Sequence, residues 1–132
     1  MVGSWTLVAN SNTSPTSRNF GPNDGVAIFD GNRFSLQLVR SDLPKFASNN
    51  RDTGTPDENK AVVQGSITYF GTYSVNEGDG VLTLRIERSS FPNWNGTDQK
   101  RIIALLNAEE LKYTNPAASV GGVAELAWKR VK

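Results

Sequence analysis

The sequence predicts an all-β fold, an eight-stranded antiparallel up-and-down barrel with one short helix between the third and fourth strands. Apolar residues alternate with polar ones along most of the chain, which is the pattern of half-buried strands. Turns rich in Gly, Asn and Asp join these segments, and short turns make neighbouring strands antiparallel. Closure of such a meander leaves no exposed edge. The 132 residues are expected to form one barrel domain over 1–132.

The individual strands follow from this alternation and from the turns that bound it. A first strand is predicted at about 4–9, and the Asp-Gly-Asn turn at 30–32 joins 26–29 to 33–39 as a hairpin. The polar segment 10–24 is interpreted as a loop with Phe20 as a plug. Further strands are predicted at 66–75, 81–88, 99–106, 111–114 and 123–131.

The helix is predicted from three start signals that stand together. Thr55 can cap a helix, Pro56 suits its first position, and Glu58 completes a capping box. Gly65 is the expected stop, so the helix should run over about 56–64.

Composition excludes several kinds of site. The chain has no Cys and no His, so it offers no disulfide, no thiolate nucleophile, and no His base or metal ligand. Fourteen basic and thirteen acidic residues leave a net charge of +1, which argues against a nucleic-acid partner.

No cofactor or metal is expected. No apolar run reaches the roughly 18 residues of a membrane span, and no export signal precedes Trp5, so a cytoplasmic location is expected.

Several motifs are similar to those of a known family. Gly3-Ser4-Trp5 opens the first strand and Arg130 stands near the end of the last. Together with the segments 34–40, 43–46, 69–73 and 91–97 and with Arg101, this pattern resembles the small stand-alone lipocalin-like domain proteins of bacteria and fungi, which have calycin-type barrels. The resemblance implies that Trp5 plugs one end of the barrel under Arg130, as a structural pair.

The inner face of the barrel can be predicted from one clear strand. Leu82, Leu84 and Ile86 share a face, and exposing three such side chains would cost about 1.5–3 kcal/mol each, so they should point inward. A four-residue turn before this strand places Tyr73 opposite Leu84. Four residues of the preceding strand would then also face the lumen, with space left at the glycine: Tyr69, Gly71, Tyr73 and Val75.

A candidate ligand site follows from these faces. Arg101 shares a face with Ile103 and Leu105, and if that face is inner, Arg101 needs a carboxylate, a tyrosine oxygen or an anionic ligand as its partner. Phe46 lies in the long segment 41–56, where it is predicted to act as a lid over the open end. The predicted ligand-binding residues are Tyr69, Tyr73, Arg101, Leu84, Phe34, Trp94 and Phe46.

Three functions remain open at this point. The first is a binding module for a small, mostly apolar or amphipathic molecule with a polar or acidic group. The second is a cyclase, isomerase or lyase that acts on a natural-product intermediate by folding it against a Tyr or Arg. The third is a structural or interaction domain with a solid core. No membrane partner is expected, no catalytic residue can be named, and a homodimer through exposed strand faces is left open.

Overall fold

The computed structural model describes residues 1–12 and 22–132, and it confirms the closed, eight-stranded antiparallel barrel. The predicted plug Phe20 lies outside the described residues. The strands are β1 Gly3–Asn12, β2 Asn23–Phe29, β3 Arg33–Arg40, β4 Ser66–Asn76, β5 Val81–Ser89, β6 Asp98–Leu106, β7 Glu110–Asn115 and β8 Ala124–Arg130.

Each strand pairs with its neighbours in sequence, and β8 closes the barrel on β1. In the closing pair, Trp5 lies opposite Arg130. The predicted register of β4 on β5 is present, with Tyr73 opposite Leu84. Closure therefore brings the first and last strands of the chain into one ladder.

One α-helix, α1 (Pro56–Gly65), lies between β3 and β4 as predicted. The Thr55 side chain accepts a hydrogen bond from the Glu58 amide, and the Glu58 carboxylate accepts one from the Thr55 amide, at 3.2 and 2.8 Å. Two short 3-10 turns stand at Arg51–Thr53 and Pro92–Trp94.

None of the helices in the described residues has the length and apolarity that a membrane crossing needs. The same residues hold no group of three or more His, Cys, Asp or Glu side chains that could bind a metal ion.

The lumen is filled over much of its length. Leu82, Leu84 and Ile86 are fully buried, which confirms their predicted inward orientation. A chain of aromatic rings runs along the lumen, with neighbouring centroids 4.9 to 6.3 Å apart. In order, the rings are Tyr73, Phe29, Phe34, Tyr69, Trp94 and Phe91.

The two ends of the barrel differ in what covers them. We call one the Trp5 end, where β1 begins and where the hairpin turns 30–32 and 77–80 lie. The other is the Trp94 end, where β1 finishes at Asn12 and where α1 and the connection 116–123 lie. The candidate site is at the Trp94 end.

Two bulges change the predicted inner face. One lies between Phe70 and Gly71, and there a Cβ on Gly71 would overlap the Arg85 carbonyl oxygen. The prediction that Gly71 leaves space in the lumen was therefore wrong, because the backbone of β5 fills that position. A second bulge after Ile103 shifts the alternation, so that Leu106 instead of Leu105 packs against the core.

Candidate functional site

A small cavity opens at the Trp94 end of the barrel, with a volume of about 60 Å³. Its polar wall includes Tyr69, Arg101, Tyr113 and Asn115, and Trp94 covers one side. Leu38, Ile67, Ala124 and Leu126 supply the apolar wall. The site is thus a mostly apolar pocket in which a few polar groups converge, as is usual for small-molecule sites.

Arg101 is the charged group of this cavity, and only 1% of it is exposed. Its guanidinium donates to the Asn115 Oδ1 atom at 3.2 Å, to the Tyr69 Oη atom at 3.4 Å and to the main-chain oxygen of Lys100 at 3.1 Å. These three acceptors are neutral. None of the salt bridges among residues 1–12 and 22–132 includes Arg101.

The strand pairing explains why Arg101 points inward. It lies opposite Leu82 in the β5–β6 ladder, and directly opposite residues point to the same face of a sheet. Leu82 faces the core, so Arg101 does too. Asn115 is the last residue of β7. Its side-chain oxygen also accepts a hydrogen bond from the Ala117 amide at 3.1 Å, which fixes the orientation of this side chain beside the guanidinium.

The connection between β5 and β6 folds Trp94 back over the cavity. The Thr97 hydroxyl donates to the Trp94 carbonyl at 2.6 Å, and the Gly96 amide donates to the Ile86 carbonyl at 2.8 Å. In this position the Trp94 ring meets Tyr69 edge-on at 5.2 Å and lies 5.4 Å from the Arg101 guanidinium carbon. The turn therefore holds an aromatic ring against a buried cation.

Tyr113 lies in the same polar cluster on β7. Burial raises the pKa of its hydroxyl well above the ordinary value, and the neighbouring Tyr69 adds to the rise, while Arg101 and the Trp128 indole oppose it. The Tyr113 hydroxyl therefore keeps its proton at and well above physiological pH, and it can donate a hydrogen bond into the cavity.

Of the predicted ligand-binding residues, the structure brings Tyr69, Trp94 and Arg101 together around the cavity. Phe34 and Leu84 lie in the packed core, where Phe34 meets Tyr69 edge-on at 5.8 Å. They support the cavity wall from below and do not line the cavity.

Tyr73 lies at the opposite end of the barrel from the cavity. Its hydroxyl accepts a hydrogen bond from the Gly31 amide at 2.8 Å, and its ring packs edge-on against Phe29 at 4.9 Å. The predicted four-residue turn gave the correct register, with Tyr73 opposite Leu84, but this position lies beside a hairpin turn at the Trp5 end. Tyr73 therefore leaves the candidate site.

Phe46 is not brought to the cavity either. It is half-buried, and a Cβ on Gly54 would overlap its ring, so the two residues pack directly together. The Ala47 amide donates to the Glu58 carboxylate at 3.0 Å, which ties this segment to the start of α1. The predicted lid instead packs on its own segment, and Phe46 lines no part of the cavity.

Most of the cavity lining was missed from the sequence, including two polar residues beside Arg101, Tyr113 and Asn115. Both lie on β7, where Leu111, Tyr113 and Asn115 are buried and alternate with exposed or half-buried positions. The same alternation stands in the sequence and could have placed them on the inner face. The strand has only six residues, so its pattern is short.

The Trp5 end carries a second pairing of tryptophan with arginine. The Arg130 guanidinium carbon lies 4.3 Å from the Trp5 ring centroid, and the Trp5 indole donates to the Met1 carbonyl at 3.0 Å. Arg130 itself donates to the main-chain oxygens of Ala108, at 2.6 Å, and Val2. Gly3 has a φ of 136°, and a Cβ there would overlap the guanidinium.

Comparison with known proteins places this chain in a family. Among solved structures, the apocrustacyanin C2 structure refined to 1.3 Å resolution is similar, with 15% sequence identity and a TM-score of 0.44. That similarity covers 98% of this chain, which spans 60% of the apocrustacyanin chain. None of the curated proteins matches in sequence. The model of the lipocalin-like domain matches residues 2–131, so the chain belongs to the lipocalin-like domain family.

Proposed function

We propose that this protein binds a small, partly apolar molecule through an acidic group that sits against Arg101. One observation carries the proposal: Arg101, which is 1% exposed, faces a cavity, and its guanidinium has only neutral hydrogen-bond partners among the described residues. A buried cation is costly unless an opposite charge accompanies it. A bound carboxylate would supply that charge.

The geometry of the cluster favours a planar acidic group. A guanidinium can present two parallel N–H donors to a carboxylate, which makes the contact both stronger and more selective than a single hydrogen bond. The Tyr113 hydroxyl, which keeps its proton, supplies a further donor on the cavity wall. Together these groups would neutralise and orient one acidic head group.

The composition of the cavity favours binding over a cyclase or isomerase that relies on a carboxylate or histidine base. Among the described residues, no Asp or Glu lines the cavity, and the chain has no His. A reaction that removes a proton from a bound molecule needs a base within hydrogen-bonding reach. The described wall offers only amides, hydroxyls and one cation.

The test is a titration of the protein with hexanoate and with hexanol, followed by ¹⁵N–¹H NMR. We expect hexanoate to shift the amides around Tyr69, Arg101 and Asn115, and Arg101→Met to weaken its binding by about 10- to 100-fold, the usual effect of losing charged hydrogen bonds. Hexanol should bind more weakly than hexanoate.

The matched control is Arg85→Met. Arg85 is exposed on the neighbouring strand, where it pairs with Asp98 at 2.9 Å, so hexanoate affinity should be unchanged in this variant. Equal affinity of wild type and Arg101→Met for hexanoate would overturn the proposal, and so would tighter binding of hexanol.

A further inference from the structure

We infer that the bound molecule is an elongated amphiphile whose apolar tail leaves the cavity and lies in a groove on the outside of the Trp94 end. This inference rests on the proposed function, because it takes the acidic head to be held at Arg101. It adds the path of the tail, and with it the class of ligand: a linear or narrow chain of apolar carbon with one terminal acidic group.

The first step concerns space inside the barrel. The cavity of about 60 Å³ has room for a few water molecules or a head group, whereas sites for whole ligands usually measure roughly 300–1,000 Å³. Below the cavity the lumen is filled by Leu36, Leu84 and Ile86, each fully buried, and by the Phe29 and Phe34 rings. The tail therefore has no path deeper into the barrel.

The second step concerns the groove at the mouth. It has a volume of about 480 Å³ and lies between the end of α1, the start of β4 and the turn that begins at Pro92. Val62, Val63 and Phe91 supply apolar surface, and none of the described residues that line the groove is charged. Val63 is 78% exposed, so the groove presents apolar surface to water.

The third step is that the two spaces adjoin each other. Ile67, Ser119 and Val120 line both the cavity and the groove. A chain that starts at Arg101 would pass these three residues as it leaves the barrel. An apolar chain is the occupant that fits, because a charged or strongly polar tail would meet no charged partner among the groove residues described.

The test uses straight-chain carboxylic acids of 4 to 12 carbons, with dissociation constants measured by NMR or calorimetry. If the tail lies in the groove, affinity should rise by about fourfold for each added methylene, and the rise should continue beyond hexanoate. Val63→Asp should weaken dodecanoate at least tenfold and leave butanoate unchanged, because its carboxylate would stand in the path of the longer tail.

The matched control for this variant is Val26→Asp. Val26 is also an exposed valine, 41% exposed on the outer face of β2, and it lines neither space. Dodecanoate affinity should be the same in Val26→Asp and wild type. A nuclear Overhauser effect between the terminal methyl of dodecanoate and the Val63 methyls would locate the tail directly.

The outcomes separate the two proposals. If the affinity does not rise beyond six carbons and Val63→Asp does not change it, the placement of the tail in the groove is overturned. The proposed function would still stand in that case, provided that hexanoate binding depends on Arg101. If hexanoate binding does not depend on Arg101, the proposed function fails. If dodecanoate binds in the groove with the same affinity in Arg101→Met and wild type, the arrangement with the acidic head at Arg101 and the tail in the groove is overturned as well.

Discussion

Each end of this barrel holds a tryptophan with an arginine against its ring, and the two pairs differ in almost every other respect. At the Trp5 end, Arg130 is half-buried and donates to main-chain carbonyls. At the Trp94 end, Arg101 is buried, is held by Tyr69 and Asn115 side chains, and faces a cavity. The same two residue types thus lie in a packed end of the barrel in one case and beside a cavity in the other.

The difference follows from where the charge can be solvated. Arg130 keeps part of its surface in water, so it contributes hydrogen bonds to the chain ends without a large desolvation cost. Arg101 is shielded from water, and within residues 1–12 and 22–132 its guanidinium has only neutral acceptors in exchange. We interpret the Trp5 pair as a structural plug, and we propose the Trp94 pair as the receptor for an anion.

The largest expected effect is on stability at the Trp5 end. Trp5→Ala should lower the free energy of unfolding by about 3–5 kcal/mol, because Trp5 is fully buried and its loss leaves a hole in the packed end. Trp94→Ala should cost less, since water can enter a hole at the mouth beside polar groups. Urea unfolding of both variants measures the difference, and a greater loss in Trp94→Ala would refute it.

The second comparison uses one glycine from each end. Gly3 and Gly96 both have positive φ, at 136° and 72°, but a Cβ on Gly3 would overlap Arg130, whereas a Cβ on Gly96 meets nothing within 4 Å. Gly3→Ala should cost about 3 kcal/mol and Gly96→Ala about 1 kcal/mol, the latter from backbone strain alone. Thermal unfolding of the two variants checks this order. Equal losses of stability would mean that the Arg130 side chain moves aside without a cost in free energy.

Much of the fold could be predicted because its signals are local. The Asp-Gly-Asn turn, the capping box at Thr55 and Glu58, and the alternation through Leu82, Leu84 and Ile86 each specify a neighbouring piece of structure. The same alternation put Arg101 on one face with Ile103 but left open whether that face is inner, and the pairing of Arg101 with Leu82 settles it. Period-two patterning fixes the face on which a side chain lies.

Patterning does not fix the height of a side chain along the barrel or the position of a bulge. Tyr73 faces inward but lies at the Trp5 end, beside Gly31. The bulge before Gly71 depends on how β4 pairs with β5, and no local pattern within β4 predicts its position. Phe46 sits in an irregular segment without periodicity, so the packing of its ring on Gly54 was not readable from the sequence.

The most direct measurement is equilibrium unfolding of Arg101→Met and Arg130→Met side by side, with and without hexanoate. Arg130→Met should lose about 1–2 kcal/mol through its backbone contacts and keep the stabilisation by hexanoate that binding to the native state confers. Arg101→Met should unfold within about 1 kcal/mol of wild type, because an apolar residue of similar volume can replace a buried charge, and hexanoate should no longer stabilise it. An Arg101→Met variant that unfolds more easily than Arg130→Met, yet is still stabilised by hexanoate, would contradict the assignment of the two ends.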